Sequence, residues 1–461
     1  MTKQASRRAF LRRAGILSLA GTAAPFALNL AAMAEAAAAT AGDYKALVCV
    51  FLYGGNDYAN TLVPYDANGY AAYQRLRPNL AYAQSALAAT ALTPAQAPRD
   101  RNGVDHQYAL APELPKLASL FGGGQMGVML NVGTLVQPTT RQQYLNRSVP
   151  LPPKLFSHND QQSVWQSSSP EGASSGWGGR MGDLFEASNG NATFTCVNVS
   201  GNAVFLSGKD AVQYQVSPRG AVPINALNAP LFGSKACSDA LRTLITQPRA
   251  NLLEAEYNRV TARAINANAT LTSALAGSPA LSTAFPSPNS LADQLKMVAR
   301  MIGAAGSIGV KRQVFFVSLG GFDTHDGLAT VHPKLMTTVD DALAAFYSAT
   351  VELGVANQVT AFTASDFGRT LTVNENGSDH GWGSMHFMLG GAVKGRSFYG
   401  TAPVIADGGP DDVGQGRLLP STSVEQYAAT LGSWFGLTDS ELLGLLPNLG
   451  NFTQRNLGFM A

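Results

Sequence analysis

Two of the chain's six histidines fall within one ten-residue stretch, GSDHGWGSMH at 377–386, where Asp379 precedes His380 and His386 closes the run. Aspartate and histidine supply oxygen and nitrogen donors, the ligand types that hold hard or borderline divalent ions. Three other stretches share this character: Gly54-Gly55-Asn56-Asp57, Gly320-Gly321-Phe322-Asp323-Thr324-His325 and Ser365-Asp366-Phe367-Gly368-Arg369-Thr370. Asp323 and His325, two apart in an extended loop, can point to the same side and share one ion. Asp57, Asp323, His325, Asp366, Asp379, His380 and His386 are therefore the candidate metal ligands, with Zn, Ca or Mg as the candidate ion. Crowded carboxylates repel one another, and bound cations would settle them in the ionised form.

Each residue also has a plainer reading. Asp57 suits a Gly-Gly-Asn-Asp turn, Asp366 could pair with Arg369, and an Asp-His dipeptide is common. In LFSHNDQQSVWQ, Ser157 is placed to cap the helix that follows, its hydroxyl accepting from a free backbone N–H. The chemical alternative makes Ser157 a nucleophile at a positive helix N-terminus, activated by metal or by His158, with Arg369 or the helix end neutralising developing charge. His106 and His332 read as loop or helix-start residues without chemistry.

Something must bring these stretches together. KALVCVFL at 45–52 is a continuous apolar run, and similar runs recur at 126–133, 193–200, 312–321, 358–365 and 386–393. Such runs suit strands covered on both faces. Helical patterns at 114–120, 157–167, 291–305 and 334–353 alternate with them, which predicts a three-layer α/β/α fold around a mostly parallel sheet. Ligands of such folds bind beyond the carboxyl ends of the strands, where the Asp and His stretches fall. Residues 210–290 read as a helical insertion beside the sheet, in the manner of a small cap, and 424–437 as a packing helix.

The N-terminus, with Ser6-Arg7-Arg8-Ala9-Phe10-Leu11 ahead of an Ala-rich apolar run, has the form of a twin-arginine signal spanning 1–34, cleaved after Ala34. Removing it takes five of 32 basic residues and leaves 27 against 30 acidic ones, a net of −3. No basic run remains to follow nucleic acid or an anionic bilayer, and no other segment is long enough to span a membrane. The mature part, 43–461, reads as one domain that meets the twin-arginine translocation machinery and works in the periplasm or outside the cell. Of three cysteines, Cys49 reads as a buried thiol, and Cys196 and Cys237 could pair after export.

VFLYGGNDYANTLVPY (50–65), LFSHNDQQSVW (155–165), SGWGGRMGD (175–183), SLGGFDTHDG (318–327), SDFGRTLTVNENGSDHGWGSMHFMLGGAVKG (365–395) and SVEQYAATLGSWFGL (423–437) occur in this order. Together they resemble an exported bacterial family of unknown function numbered 1501, which is similar to the alkaline phosphatase and sulfatase superfamily. The resemblance implies an alkaline-phosphatase-like fold and one or two divalent ions at strand ends. It also implies a Ser, Thr or formylglycine attacking a phosphate or sulfate ester. Position by position, Asp57 would be the first-strand acid, Asp323 and His325 one metal's pair, Asp366 the acid of a later pair and His386 the distant histidine. Phe367 stands where that superfamily places a histidine, so either His380 substitutes or a metal position is lost. A sulfatase-type Cys-x-Pro-Ser-Arg segment is absent, which removes the formylglycine route.

The expectation is thus an exported metal-dependent hydrolase of a small-molecule phosphate or sulfate ester. Its rival is a non-catalytic envelope binding or assembly protein on the same scaffold.

Overall fold

Each apolar run of the sequence contributes a strand to one sheet, and shorter strands join that sheet or pair apart from it. The strands are β1 (Lys45–Leu52), β2 (Leu62–Pro64), β3 (Tyr108–Leu110), β4 (Met126–Gly133), β5 (Cys196–Asn198) and β6 (Tyr214–Ser217), followed by β7 (Gly220–Ala221), β8 (Arg312–Leu319), β9 (Val359–Ser365), β10 (Ser384–Leu389), β11 (Phe398–Tyr399) and β12 (Thr422–Ser423). The computed structural model describes residues 43–461, of which Lys45–Ala461 form one compact unit. The signal segment and its cleavage point lie outside the described residues. No described helix is long and apolar enough to cross a membrane.

The main sheet runs β11-β4-β10-β9-β1-β8-β5-β6-β7, with β12 also paired to β4, while β2 and β3 form a separate ribbon. β1 lies in the middle, parallel to β8 and β9 in unbroken register from Lys45↔Arg312 and Ala46↔Val359. β10 is antiparallel to both its neighbours and β7 is antiparallel to β6. The sheet is therefore mixed and mostly parallel.

Helices cover both faces. Leu47, Cys49 and Phe51 of β1 pack with Trp165, Trp177, Met181, Tyr427 and Leu431 from the helices His158–Ser167, Trp177–Phe185 and Val424–Phe435. Alternate side chains of a strand face opposite ways, so Ala46, Val48 and Val50 meet the other layer. That layer holds Pro115–Gly122, Ser290–Gly303 and Leu328–Glu352. Asp340 stitches it together, accepting from the N–H groups of Lys116 and Leu117 at the first turn of a neighbouring helix.

The 210–290 region holds the β6–β7 hairpin, which prolongs the sheet edge, and the helices Lys235–Thr246 and Leu252–Gly277, which pack on each other. It stands beside the sheet over a cavity of about 430 Å³ lined by Glu186, Tyr214 and Arg263 among others, and no member of the Asp/His cluster lines that cavity. The Cys196–Cys237 bond allowed by sequence is not formed. Cys196 is a buried free thiol in β5, while Cys237 is a free thiol on an exposed helix face.

Candidate metal centre

The carboxyl ends of β1, β8 and β9 share one edge of the sheet because the three strands run parallel. β1 leads into Gly54, whose φ of +114° and close approach admit no side chain: a Cβ there would lie 2.3 Å from the Asp323 nitrogen. The β1 turn and the β8 loop therefore touch backbone to backbone. β9 leads into Asp366, and β10 starts from the same edge after an excursion through Asp379 and His380. A short antiparallel ladder fixes that excursion, with Gly368 donating to the Trp382 carbonyl (3.1 Å) and Thr370 to the Asp379 carbonyl (2.9 Å). Gly377 packs directly on His325, where a Cβ would come within 2.4 Å of its carbonyl group. Glycine in GSDHGWG thus serves close packing of two histidine-bearing loops.

Three imidazoles meet at Asp323, and each is held by its Nδ1. His158 Nδ1 lies 2.6 Å from Asp366 Oδ2, His325 Nδ1 3.1 Å from Asp379 Oδ1, and His380 Nδ1 2.7 Å from the Phe156 carbonyl. With Nδ1–H donated outward, each Nε2 keeps its lone pair for the centre. Those Nε2 atoms lie 3.4 Å from Asp323 Oδ2 for His158, and 3.1 Å and 3.3 Å from Oδ1 for His325 and His380. The Nε2 atoms of His325 and His380 are 2.8 Å apart. Two lone pairs at that distance repel unless a proton or a cation lies between them. Donor atoms of His158, Asp323 and His380 all fall within 4.8 Å of one another, a spacing that can hold one metal ion. His158 Nε2 is buried without a hydrogen-bond partner. These residues fit a divalent ion.

The supporting shell is specific. Asp366 is fully buried (0% exposed) and also accepts from Gly54 N–H and from Gln162 Nε2 at 2.8 Å. Phe367 packs against the site with its ring tilted to both imidazoles, its centroid 4.8 Å from that of His158 and 4.7 Å from that of His380. At the position where the superfamily resemblance called for a histidine, the chain supplies an apolar floor, and the imidazoles come from other loops. Asp323 is 46% exposed, which leaves the centre open to solvent on one side. The Asp366 hydrogen bond pushes the His158 pKa up against its burial, with charge attraction to Asp366 and Asp323 adding to it. Burial would raise Asp323, but the Arg369 hydrogen bond and the charges of Arg369, His158 and His325 outweigh it and hold the carboxyl below its ordinary value. Burial pushes His380 down, keeping it neutral and able to ligate.

Several expectations are corrected by geometry. Asp57 is fully buried against Arg77, which also donates to the Thr370 and Leu371 carbonyls, so its charge is answered by an arginine and not by an ion. His386 lies in β10 with its ring edge-on to Trp165 and Nδ1 3.2 Å from Thr363 Oγ1, inside the core. Asp366 and Asp379 orient histidines where direct ligation was expected. Arg369 pairs with Asp323 (2.9 Å) and not with Asp366, and its remaining donors go to the Gly54 carbonyl and to Ser378. Ser157 makes no side-chain cap; its hydroxyl donates to Asp160 Oδ2 at 2.9 Å. His332 lies within a helix, fully buried against Asn56, and His106 bridges Asp66 and Asp100. Sequence reasoning passed over Gln162, although its place four residues after His158 puts both on one helix face. It also passed over the Phe156 carbonyl and Arg417, whose Nε donates to the His380 carbonyl; no local pattern marks either.

Over residues 44–443 the chain matches the family described as Protein of unknown function (DUF1501). Similar solved structures include the PsFucS1 sulfatase from Pseudoalteromonas sp., at 10% identity, covering 91% of this chain and 72% of that one with a TM-score of 0.32. The lipoteichoic acid synthase LtaP from Listeria monocytogenes is similar at 9% identity, with coverage of 86% and 74% and a TM-score of 0.33. The soluble domain of lipooligosaccharide phosphoethanolamine transferase A from Neisseria meningitidis is similar at 11% identity, with coverage of 91% and 95% and a TM-score of 0.30. No curated protein sequence matches significantly.

Proposed function

The chain belongs to the DUF1501 family, and from that premise we propose that it is a metal-dependent hydrolase of phosphate or sulfate esters, exported folded by the twin-arginine route. The observation that carries this reading is the convergence of three Nδ1-anchored imidazoles on the half-exposed Asp323 carboxylate. His158, Asp323 and His380, with His325 beside them, would hold the ion. Three nitrogens and one carboxylate favour a zinc-like borderline ion over calcium or magnesium, which take mostly oxygen. Bound there, such an ion supplies Lewis-acid polarisation of an ester oxygen.

The chain's own residues supply the rest. Asp366 holds the His158 ring and Arg369 holds the Asp323 carboxylate, so both arrive already oriented. Ser157 lies between Phe156 and His158, and its hydroxyl proton already points at a carboxylate, Asp160. It serves as nucleophile: the proton passes to Asp160, Oγ bonds to phosphorus or sulfur, and the ester oxygen leaves with the electrons of the broken bond and takes a proton from solvent. Water then attacks the seryl ester and gives its proton to solvent, Ser157 Oγ leaves and recovers its proton from Asp160, and phosphate or sulfate is released. The N-terminus of the His158–Ser167 helix favours the negative charge that develops.

The experiment is metal analysis and turnover of aryl phosphates and aryl sulfates by wild type, Asp323→Ala and Ser157→Ala. Asp323→Ala should lose the ion and with it the activity. Ser157→Ala should keep the ion and lose turnover by about 10²-fold or more. A protein that carries no divalent ion and is indifferent to chelators overturns the reading. One observation favours the rival: the hydrogen bonds of Arg369 to Asp323, Gly54 and Ser378 occupy its guanidinium, so that arginine is not free to clamp an anionic substrate. An ion present without turnover of any ester would support a binding or assembly protein built around a structural metal.

A further inference from the structure

His158 and His325 are anchored by carboxylates, but the third imidazole is anchored by a main-chain carbonyl from a distant loop. His380 Nδ1 lies 2.7 Å from the oxygen of Phe156. That carbonyl is aimed by a backbone bend that side chains rarely adopt, with φ +73° at Phe156 and +42° at Lys154 two residues earlier. A non-glycine residue held in this region stores strain and persists only where its surroundings enforce it. Two contacts enforce it here. The Phe156 ring packs beside the buried cluster of Leu135, Trp382, Val413, Leu419 and Phe452. The Arg417 guanidinium lies over the ring at 4.7 Å from its centroid. Arg417 Nε also donates to the main-chain carbonyl of His380 at 2.8 Å. One side chain therefore grips both halves of the anchor, the ring behind the donating carbonyl and the backbone of the histidine that receives it.

We propose that Arg417 is a positioning residue for the metal centre: clamped on Phe156 and on the His380 backbone, it keeps the strained carbonyl on His380 Nδ1, and so keeps Nε2 free and aimed at the ion. The proposal rests on the metal-centre reading above. Outer partners that fix a ligating histidine are worth about 10- to 100-fold in metal affinity, and Arg417 reaches that range through two contacts with no contact of its own to the ion.

The test is Zn²⁺ affinity by chelator competition for wild type, Arg417→Ala, Phe156→Leu and Arg141→Ala, joined to ¹⁵N spectra of the histidine rings in the metal-free protein. Arg141 is the control because its guanidinium bonds a main-chain carbonyl of the same region, that of Asp412, and not that of His380. Arg417→Ala and Phe156→Leu should each weaken Zn²⁺ binding about 10- to 100-fold, with the His380 resonances moving from a single Nδ1–H tautomer to a mixture. Arg141→Ala should bind as wild type does. A merely structural role for Arg417 would lower thermal stability while leaving affinity and tautomer unchanged. Wild-type binding with an Arg417→Ala constant within twofold of it overturns this inference alone. A wild type that binds no Zn²⁺ overturns the metal-centre reading and this inference with it.

Discussion

A histidine presents to a ligand whichever nitrogen its other partner leaves free, so the anchors matter as much as the ligands. Asp366 anchors His158, and the same contact raises the pKa of that ring. Asp366→Asn keeps the shape and removes the charge. His158 should then titrate at lower pH than in wild type, read by NMR in the metal-free protein, and Zn²⁺ should bind about tenfold more weakly or worse. An unchanged His158 titration would show that Asp366 does not govern it. Sequence brought Asp323, His325, His380 and, less directly, His158 to notice because donor residues stood at strand ends. It could not distinguish a ligating carboxylate from one that orients a ring, since both read as Asp beside a glycine. Nor could it see that Asp57 is answered by Arg77, twenty residues on and in another element.

At the scale of elements, the site exists because three parallel strands end together and the β1 turn meets the β8 loop backbone to backbone at Gly54. Gly54→Ala should strain the backbone by about 1–3 kcal/mol and push the Asp323 loop away, so thermal stability and Zn²⁺ affinity should fall together. Asp57→Ala makes the opposite division. It leaves Arg77 charged and sealed from water, a loss of about 3–5 kcal/mol, which denaturant melts should show equally with and without metal; a loss confined to the metal-loaded protein would return Asp57 to the ligand set. Strand runs such as 45–52 and 359–365 were legible because both faces are buried and the apolar residues are unbroken. The two- to four-residue strands β6, β7, β11 and β12 carry too few positions for any period to register. The helix expected from residue 334 begins at Leu328, because Pro333 lies inside it and not at its boundary.

Across the whole molecule, acid should act through buried neutral histidines. Burial pushes His386 down to about 3 and His332 to about 4, against about 6.5 in an unfolded chain. Their stabilisation is fully present above pH 6.5 and is lost as pH falls toward the folded values, because the unfolded chain then binds protons that the native core refuses. Asp340, raised to about 6 by burial, acts in the opposite sense between about 6 and 4 and offsets part of this slope. His386→Leu isolates one group: in metal-free melts between pH 7 and 5 its stability should fall less steeply than wild type, by up to about 1.4 kcal/mol per pH unit, and identical slopes would refute this. The reversal of β10 has a wider effect. Since β9 arrives at the site edge and β10 departs from it, the 366–383 excursion begins and ends at the same place and carries Asp366, Phe367, Arg369, Asp379 and His380 in one contiguous piece. Such a piece is a cassette that brings one ligand, His380, together with the anchors of two others, since Asp366 holds His158 and Asp379 holds His325.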